Sequence, residues 1–242
     1  LRETVKDIRQ GLKSRLPALY GFIKATYFAG NTVMLNRLPH EIIFNKIYRM
    51  NAWGDKETLS GAGSNTVNTA VVREKLPALL RELGIRSLLD IPCGDFFWMK
   101  QVSLNVERYV GADIVRELVA TNLEKFGKIE RSFVVMDLLV NDLPTVDLIL
   151  CRDCLPHFSI NDITRALSRI KRSTSRYLLT STYTSRRENA DIVTGGFRPL
   201  NLQIAPFNFP APLAMINEQC TYGNGIYADK SLALWEIKNL TT

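Results

Sequence analysis

The stretch SLLDIPCGD, residues 87–95, determines the fold that this 242-residue chain is expected to adopt. Its apolar residues predict a short strand that is buried on both faces, as in a parallel sheet. The strand ends at Asp90, and Gly94 follows, where the lack of a side chain lets the backbone come close to a ligand. An acid and a glycine at the carboxyl end of a first parallel strand are typical of a nucleotide-type crevice.

Strands and helices alternate around this stretch. Further strands are predicted at residues 108–112, 132–136, 146–151, 177–182 and 230–237, after a first strand at 86–91. Helices are predicted at 66–83 and 160–172, in a short piece at 96–101, and in a segment that ends near 126. This alternation predicts an α/β fold, a Rossmann-like doubly wound sheet that is mainly parallel and covered on both faces.

Two regions flank or interrupt this pattern. Residues 1–65 are predicted to form an N-terminal helical extension that acts as a lid, and residues 66–242 the main domain. Within the main domain, residues 185–225 form a long stretch rich in Pro, Gly and Asn. Long irregular loops inside compact domains are usually functional, so this stretch is predicted to be a substrate-binding insertion.

The composition is that of a soluble globular protein, with 46% hydrophobic and 23% charged residues. The four cysteines, Cys93, Cys151, Cys154 and Cys220, are few and irregularly spaced, which favours a reducing, cytoplasmic location over a disulfide framework. No uninterrupted apolar span is long enough to cross a bilayer, and no secretory signal is evident, so no transmembrane segment is expected.

The net charge of +7 is concentrated near the start of the chain, where residues 1–50 hold nine Lys or Arg against three Asp or Glu. A solvated helical face is the simplest interpretation of this charge. Attraction to nucleic acid, to a membrane surface or to an anionic substrate stays open as an alternative.

Three carboxylates follow successive predicted strands: Asp90, Asp113 and Asp137. The carboxyl ends of parallel strands share one edge, so these side chains are expected to line one crevice. Asp113 is placed to accept both ribose hydroxyls of a nucleoside, and Asp137 or its neighbours to reach an adenine amino group. Asp90 could hold the loop backbone or face a cationic group of the ligand.

The loop after the first strand lacks the G-x-G-x-x-G pattern that seats a diphosphate on a helix N-terminus. It offers one glycine, the acid Asp95 and three aromatic residues, Phe96, Phe97 and Trp98. Asp95 would repel a diphosphate. A ligand with a cationic centre and no phosphate fits better, and S-adenosylmethionine is such a ligand, since aromatic faces favour a nearby sulfonium.

These residues resemble the class I S-adenosylmethionine-dependent methyltransferases. Residues 90–95 are similar to the D-x-G-x-G-x-G loop of that superfamily, although Pro92 replaces its first glycine and Phe96 its third. The resemblance implies the same fold, S-adenosylmethionine as cofactor, and a set of cofactor-binding residues: Trp53, Ser60, Asp90, Pro92, Cys93, Gly94, Asp113, Ile114, Asp137, Leu138 and Arg152.

A narrower resemblance is to a little-described bacterial methyltransferase family and covers nearly the whole chain from about residue 44. Its motifs here are FNKIY (44–48), WG (53–54), SGAGS (60–64), CRDCLPHF (151–158), GFRPLNL (196–202), PFNFP (206–210) and DKSL (229–232). Such proteins are often associated with polysaccharide or glycolipid pathways, which implies O-methylation of a sugar.

His157 is the predicted general base for a hydroxyl acceptor. It follows the fourth strand on the ligand edge, it is one of two histidines in the chain, and an imidazole with a pKa near 6.5 suits a base at neutral pH. The alternative is that His157 only caps the helix that begins near Ser159. Asp153 is the second predicted catalytic residue and could orient the ring or bind acceptor hydroxyls.

Within the insertion, polar residues beside aromatic ones suit a sugar ring, with its hydroxyl edges and apolar face. The predicted acceptor-binding residues are Asn189, Asp191, Arg198 and Asn208, and the flat apolar faces would come from Phe197, Phe207 and Phe209. A surface loop packed on the sheet would show the same pattern.

No metal site is predicted. Cys151 and Cys154 form a C-x-x-C pair, but no second pair exists, and thiols at a strand end are expected to serve as small apolar fillers. A magnesium ion held by Asp153 and another acid stays open, although the sequence does not predict it.

The sequence thus predicts a cytoplasmic S-adenosylmethionine-dependent O-methyltransferase that acts on a small hydroxylated acceptor, a saccharide and not a nucleic acid. The alternatives are an RNA 2′-hydroxyl methyltransferase, prompted by the basic N-terminus, and a non-catalytic S-adenosylmethionine-binding module, prompted by the lost glycines. A nicotinamide-linked dehydrogenase is the weakest alternative, since a phosphate loop is missing. The N-terminal helices could also pack against a second subunit, as in a homodimer.

Overall fold

The computed structural model describes residues 38–222 and 224–241 of the chain. The chain divides into two compact units, Leu1–Leu38 and Pro39–Thr242. The first unit, with the helices predicted before residue 38, lies outside the described residues except for Leu38. The predicted boundary of the N-terminal extension near residue 65 stays a prediction.

The described residues contain four α-helices and seven strands. The helices are α1 (His40–Arg49), α2 (Ala70–Glu82), α3 (Arg116–Phe126) and α4 (Ile160–Arg172). The strands are β1 (Ser87–Asp90), β2 (Arg108–Asp113), β3 (Arg131–Val135), β4 (Leu148–Cys151), β5 (Tyr177–Tyr183), β6 (Ala214–Asn217) and β7 (Lys230–Glu236).

The strands form one sheet in the order β3-β2-β1-β4-β5-β7-β6. The first five strands pair in parallel, and β7 pairs antiparallel with both β5 and β6. Strand β1 lies in the interior of the sheet. Strands β2 and β3 follow on one side of it, and β4 and β5 then follow on the other side. The predicted doubly wound, mainly parallel sheet is therefore confirmed, and its order reverses between β1 and β4, where such sheets bind ligands.

Burial on both faces explains why the strands are continuous apolar runs. Successive side chains of a strand point to opposite faces, so Leu88 and Leu89 enter two different cores. Leu89 packs in a cluster that includes Ile163 of α4. Leu88 packs in another cluster that includes Leu76 of α2. Helices on both faces thus hold the carboxyl ends of the strands in a fixed plane.

The structure differs from the sequence prediction in three places. Strand β6 lies inside the segment predicted to be irregular, because Ile216 alone of its four residues is buried and its pattern is too weak to stand out. The helix predicted at 96–101 is a single 3₁₀ turn, Met99–Gln101. Helix α2 begins at Ala70, four residues later than predicted, after turns that follow the 3₁₀ turn Ala62–Ser64.

None of the helices formed by residues 38–222 and 224–241 is both long and apolar enough to span a membrane.

Candidate active site

A cavity opens at the carboxyl ends of β1 to β4, beneath α1. All of the predicted cofactor-binding residues line it, together with both predicted catalytic residues: Trp53, Ser60, Asp90, Pro92, Cys93, Gly94, Asp113, Ile114, Asp137, Leu138, Arg152, Asp153 and His157. The predicted cofactor-binding and catalytic side chains therefore lie together in one cavity, where they form two groups. We call Asp90, Gly94, Asp113 and Asp137 the β1–β3 edge, and Arg152, Asp153, His157, Glu218 and Lys230 the β4–β7 edge.

Gly94 places the loop after β1 against its neighbours. Its φ is +54°, in the left-handed region, and a Cβ atom there would collide with the Oγ of Ser60. Its amide donates a hydrogen bond to Oδ2 of Asp113, at 3.0 Å. A glycine is therefore required by conformation and by space, and the two loops that follow β1 and β2 are tied together at this point.

Asp95, expected from the sequence to repel a diphosphate, has a clear structural role. Its carboxylate accepts hydrogen bonds from the hydroxyls of Thr58 and Ser60 and from the amide of Leu59, at 2.8–3.0 Å. Its own amide donates to Ser60 Oγ at 3.1 Å. Asp95 thus holds the segment that precedes the SGAGS motif against the β1 loop.

Asp113 is a buried carboxylate held by backbone amides. Its Oδ1 accepts from Val115 at 2.9 Å, and its Oδ2 from Gly94. Burial raises its pKa to about 6, although the backbone hydrogen bonds act in the opposite direction. Each oxygen keeps acceptor capacity beyond these single bonds, because a carboxylate offers about four lone-pair positions.

Asp90 is the second buried carboxylate of this edge, and it is 2% exposed. Burial raises its pKa to about 7, while a 2.6 Å hydrogen bond donated by the hydroxyl of Tyr109 lowers it. Arg152 also lowers this pKa, but its guanidinium is paired elsewhere. Among the described residues Asp90 accepts from Tyr109 and not from the loop backbone, which was one of the two roles predicted for it, and it borders the cavity without an ion pair to any of them.

Asp137 stands two residues beyond β3 and is half-buried. Its Oδ1 accepts from the amide of Leu139, and its own amide donates to Oδ1 of Asn141, both at 2.8 Å. These bonds close a turn that presents Asp137 and Leu138 to the cavity.

The β4–β7 edge contains four charged side chains that neutralise one another. Arg152 forms a two-pronged ion pair with Glu218, at 2.7 and 3.2 Å. Lys230 contacts Asp153 at 2.5 Å and Glu218 at 3.2 Å. Arg152 also lies 3.3 Å from Asp153, whose other oxygen accepts from the hydroxyl of Ser181. We call Arg152, Asp153, Glu218 and Lys230 the ion quartet.

The ion quartet lies inside the protein except at one point. The side chains of Arg152, Glu218 and Lys230 are 3%, 0% and 4% exposed, whereas that of Asp153 is 22% exposed and reaches the cavity. Burial raises the pKa of Asp153, but the charges of Lys230 and Arg152 outweigh this and hold it below its usual range. The quartet therefore presents an ionised carboxylate whose charge is already balanced.

His157 is held by the backbone carbonyl of Gly196. Its Nδ1 lies 2.6 Å from that oxygen, and since a carbonyl can only accept, Nδ1 must carry the proton. In the neutral ring Nε2 is then an acceptor, and no described residue forms a hydrogen bond with it. Burial lowers the pKa of His157, which keeps the ring neutral at physiological pH.

Two alternatives for His157 and Asp153 can now be judged. Ser159, and not His157, caps α4, since its Oγ accepts from the amide of Asp162. His157 lies in the preceding 3₁₀ turn, Leu155–His157. The ring is oriented by Gly196, whereas the oxygens of Asp153 bind Lys230, Arg152 and Ser181. The proposed orientation of the ring by Asp153 is therefore not what the structure shows.

Aromatic residues cover the cavity around His157. Trp53 lies against the imidazole with ring centroids 4.7 Å apart, and Phe197 lies on it at 5.4 Å. Phe44 of α1 contacts both Trp53 and Phe158, at 6.3 and 6.0 Å. Helix α1 is in turn anchored by His40, whose Nε2 lies 3.2 Å from Asp162. This contact gives His40 a structural role.

The structure places the four predicted acceptor-binding residues outside the cavity, which corrects that expectation. Asn189 and Arg198 bind backbone groups of their own segment and of the loop before α4. Asp191 accepts from the amide of Ile160 at the start of α4. Asn208 is exposed, and its side-chain amide donates to the carbonyl of Pro206 in its own turn, at 3.5 Å. The backbone groups of an irregular segment are not paired by a helix or a sheet, so its polar side chains form hydrogen bonds with them before they are available to a ligand.

The three aromatic residues predicted to face a sugar also differ from one another. Phe207 and Phe209 are buried in the core below the sheet. Phe197 is 44% exposed and contacts the imidazole of His157. Of the three, only Phe197 is exposed, and its ring packs against His157, Tyr183 and Tyr227, at 5.4, 6.4 and 5.6 Å.

The four cysteines are free and buried. A hydrogen bond with Cys151 and burial both raise the pKa of Cys154, so Cys154 is not placed as a reactive thiolate. Among residues 38–222 and 224–241, no group of three or more His, Cys, Asp or Glu side chains could hold a metal ion.

Sequence reasoning missed Glu218, Lys230 and Tyr109 as parts of the site. Lys230 belongs to the DKSL motif, which was a usable signal. Glu218 follows β6, a strand that was not predicted, and nothing near it in sequence marks it as a partner of Arg152. Tyr109 sits inside β2, where an aromatic residue indicates only a buried strand.

The sheet order, the antiparallel β7 and the acids at the carboxyl ends of β1 and β2 define the fold of the class I methyltransferases. Residues 89–176 match a family model described as a methyltransferase domain. Together these findings show a chain with the class I methyltransferase fold that carries an S-adenosylmethionine-dependent methyltransferase domain over residues 89–176. The family match begins in β1 and stops just before β5, so it covers the β1–β3 edge and the loop that carries His157.

Solved structures share this fold at low sequence identity. Human N-acetylserotonin methyltransferase, in complex with S-adenosylmethionine, is 15% identical, with a TM-score of 0.58 over 92% of this chain and 68% of that one. The N-methyltransferase NodS from Bradyrhizobium japonicum, with S-adenosylhomocysteine, is 12% identical, with a TM-score of 0.56 over 78% and 97%. The magnesium protoporphyrin IX methyltransferase from Synechocystis, with S-adenosylhomocysteine, is 14% identical, with a TM-score of 0.52 over 79% and 93%. No curated protein matches the chain in sequence.

Proposed function

We propose that this protein transfers a methyl group from S-adenosylmethionine to a hydroxyl of a small neutral acceptor, a saccharide or glycoconjugate, with His157 as general base. The observation that carries the proposal is the fixed Nδ1–H tautomer of His157. In this tautomer Nε2 of His157 can accept a proton, and His157 lines the same cavity as the buried carboxylates of the β1–β3 edge.

The β1–β3 edge fits the cofactor by charge and by hydrogen bonding. Asp90 and Asp113 are buried carboxylates with raised pKa values and without an ion pair to a described residue, so a cationic ligand would stabilise their ionised form. The remaining lone pairs of Asp113 suit the ribose hydroxyls, and Asp137 suits the adenine amino group. Three structures with the same fold were solved with S-adenosylmethionine or S-adenosylhomocysteine, which supports this assignment.

The β4–β7 edge favours a neutral acceptor. The two cations and two anions of the ion quartet balance one another, so the wall beside His157 has no net charge to offer a charged substrate. Asp153 is its most exposed member and lines the cavity together with Arg152, and its carboxylate can still accept from a hydroxyl. A charged acceptor would find no unpaired countercharge in the quartet.

Phe197 supports a saccharide among neutral acceptors. Its exposed ring stands beside the base, and a sugar presents an apolar face and hydroxyl edges at the same time. The carboxylate of Asp153 and the ring of Phe197 lie on different elements around His157, so the two kinds of sugar surface can be met together. This supports the association with sugars implied by the sequence motifs.

When bound, the cofactor supplies an electrophilic methyl group on sulfur. The acceptor hydroxyl would lie near Nε2 of His157, which would take its proton as the methyl carbon passes from sulfur to the hydroxyl oxygen, with S-adenosylhomocysteine as the leaving group. Burial and the charges of Lys230 and Arg198 lower the pKa of His157, whereas the charge of Asp153 raises it, so Asp153 favours the imidazolium that forms. Phe44, Trp53 and Phe158 exclude water from this point, and positioning of the reactants supplies the rest.

Calorimetric titration with S-adenosylmethionine and S-adenosylhomocysteine, with NAD as control, tests the cofactor. Methyl transfer from labelled cofactor to a panel of sugars, with RNA as a competing acceptor class, tests the substrate. His157→Ala is expected to lower kcat by about 10²–10⁴-fold while the Kd of S-adenosylmethionine stays unchanged. His40→Gln is the matched control, since that ring binds Asp162. Unchanged turnover in His157→Ala, or transfer to RNA alone, would overturn the proposal.

A further inference from the structure

The segment that contains Gly195, Gly196 and Arg198 is fastened to the loop that carries His157. The amide of Gly195 donates to the carbonyl of His157 at 2.8 Å, and the amide of Arg198 donates to that of Pro156 at 3.1 Å. The carbonyl of Gly196 accepts from His157 Nδ1 at 2.6 Å. The two segments are 35 or more residues apart in sequence, and these bonds fix their relative position.

The guanidinium of Arg198 strengthens this junction from inside. Its Nη1 donates to the carbonyls of Leu155 and Pro156, at 3.2 and 3.0 Å, and its Nε donates to that of Ala190 at 3.0 Å. The planar guanidinium therefore joins the two segments. Its Nη1 binds the loop of His157, and its Nε binds the segment of Gly196. A lysine could not bind both in this geometry.

Arg198 is buried at a cost that packing alone does not explain. It is 6% exposed, its Nη2 has no hydrogen-bond partner among the described residues, and no described carboxylate lies within ion-pair distance. Burial lowers its pKa to about 10. Buried charges are normally paired, so a cation that binds only carbonyls next to a candidate base points to a role at that base.

Gly195 leaves this junction no room to adjust. Its φ is +100°, and a Cβ atom would come within 2.7 Å of the side chain of Ile43 in α1. Gly195 is thus confined between Ile43 of α1 and the loop of His157, to whose carbonyl its amide donates.

We infer that Arg198 is a positioning residue for His157: by joining the carbonyls of Leu155, Pro156 and Ala190, it holds the Gly196 carbonyl against Nδ1 and so selects the tautomer with a proton-free Nε2. The inference rests on the proposed function for its catalytic meaning. The tautomer itself is a property of the protein without substrate, so it can be measured whether or not the proposed function holds.

Nitrogen-15 NMR of the imidazoles in the full chain measures the tautomer directly. The chain has only two histidines, and His40→Gln assigns the signals. At a pH above its pKa, His157 of the native protein is expected to be in the Nδ1–H form. Arg198→Met is expected to convert it to a mixture with the Nε2–H form, and Arg198→Lys, which keeps the charge but not the fork, is expected to do so in part.

Arg186→Met is the matched control. Arg186 is a half-buried arginine of the same insertion, and it binds the carbonyl of Ile226 and the carboxylate of Asp229. It is expected to lower the melting temperature and to leave the tautomer unchanged. In turnover assays Arg198→Met should lower kcat by about 10–100-fold with an unchanged Kd for S-adenosylmethionine, as expected for a displaced catalytic group.

A folded Arg198→Met that keeps the pure Nδ1–H form would overturn the inference, and so would an Nε2–H form in the native protein. If Arg198→Met does not fold, a pure Nδ1–H form in Arg198→Lys has the same meaning. Loss of the tautomer in Arg198→Met with unaltered turnover would support the positioning role and instead overturn His157 as the base, so the two failures are distinguishable.

Discussion

The two edges of the cavity treat carboxylates in opposite ways. On the β1–β3 edge, Asp90 and Asp113 are buried without an ion-pair partner among the described residues, and burial raises their pKa values to about 7 and about 6. On the β4–β7 edge, Asp153 is placed between Lys230 and Arg152, which hold its pKa below the usual range. The same functional group is thus costly to ionise on one side and stabilised as an anion on the other.

This difference indicates what each edge is prepared to bind. A buried carboxylate without a cation is stabilised by a ligand that brings one, and S-adenosylmethionine has a sulfonium and an ammonium group. A balanced quartet gains nothing from a charged ligand, and it keeps Asp153 fixed and ionised for a neutral one. The electrostatics thus favour a cationic ligand on the β1–β3 edge, and on the β4–β7 edge they support the neutral acceptor proposed above.

The largest effect is expected from Glu218→Gln, which removes one charge of the ion quartet with little change of shape. It leaves Arg152 and Lys230 buried with a single carboxylate between them, and breaking a buried ion pair from one side costs about 3–5 kcal/mol of unfolding free energy. Urea unfolding followed by circular dichroism measures the loss.

Glu107→Gln provides the control for this measurement. Its ion pair with Arg86 is just as short, 2.7 Å, but the side chains are 65% and 73% exposed. Solvent screens exposed pairs, so they contribute little to stability, and the control should be close to the native protein. Equal losses in Glu218→Gln and Glu107→Gln would show that burial of the quartet has no energetic consequence.

The second effect concerns binding at the opposite edge. Asp113→Asn removes the negative charge. The NH₂ group of the new side chain faces either Gly94 or Val115, and the backbone amide of that residue then loses its hydrogen-bond acceptor. Hydrogen bonds to charged groups contribute about 1.5–3 kcal/mol, so the Kd of S-adenosylmethionine should rise about 10–100-fold. Calorimetric titration measures it.

Asp142→Asn is the control for Asp113→Asn, because Asp142 is 90% exposed and pairs only with surface arginines. It should bind the cofactor like the native protein. Native affinity in Asp113→Asn would mean that Asp113 serves the loop and not the ligand.

How much could be predicted from the sequence also differs between the two edges. Asp90, Gly94, Asp113 and Asp137 follow strands that are strong apolar runs, and parallel strands bring their ends together, so the sheet and this edge could be predicted. The ion quartet could not, because Glu218 follows β6, a strand with one buried residue, and meets Arg152 across 66 positions of sequence.

The insertion shows a second limit of the sequence. Its polar residues were interpreted as ligands, but an irregular segment needs side chains such as Asn189 and Arg198 to satisfy its backbone. Composition cannot distinguish these two uses, since both call for amides and guanidinium groups. Helix α4, by contrast, has the predicted bounds, because a capping serine and a strong apolar periodicity are local signals.

The smallest effect is expected from Asp90→Asn, and its sign is the opposite of that of Glu218→Gln. The pKa of Asp90 is raised in the folded protein, so the carboxyl group supports the fold while protonated, and its contribution is lost as the pH rises from about 4 through about 7. The amide cannot ionise and can still accept from Tyr109. Asp90→Asn should therefore match the native protein near pH 4 and exceed its unfolding free energy by about 1–2 kcal/mol at pH 8, less than the full pKa difference would give, since protein and water relax around a buried charge. Urea unfolding from pH 4 to pH 8 measures this divergence. A constant difference across that range would show that Asp90 is not costly to ionise, and the contrast between the two edges would then be one of position alone.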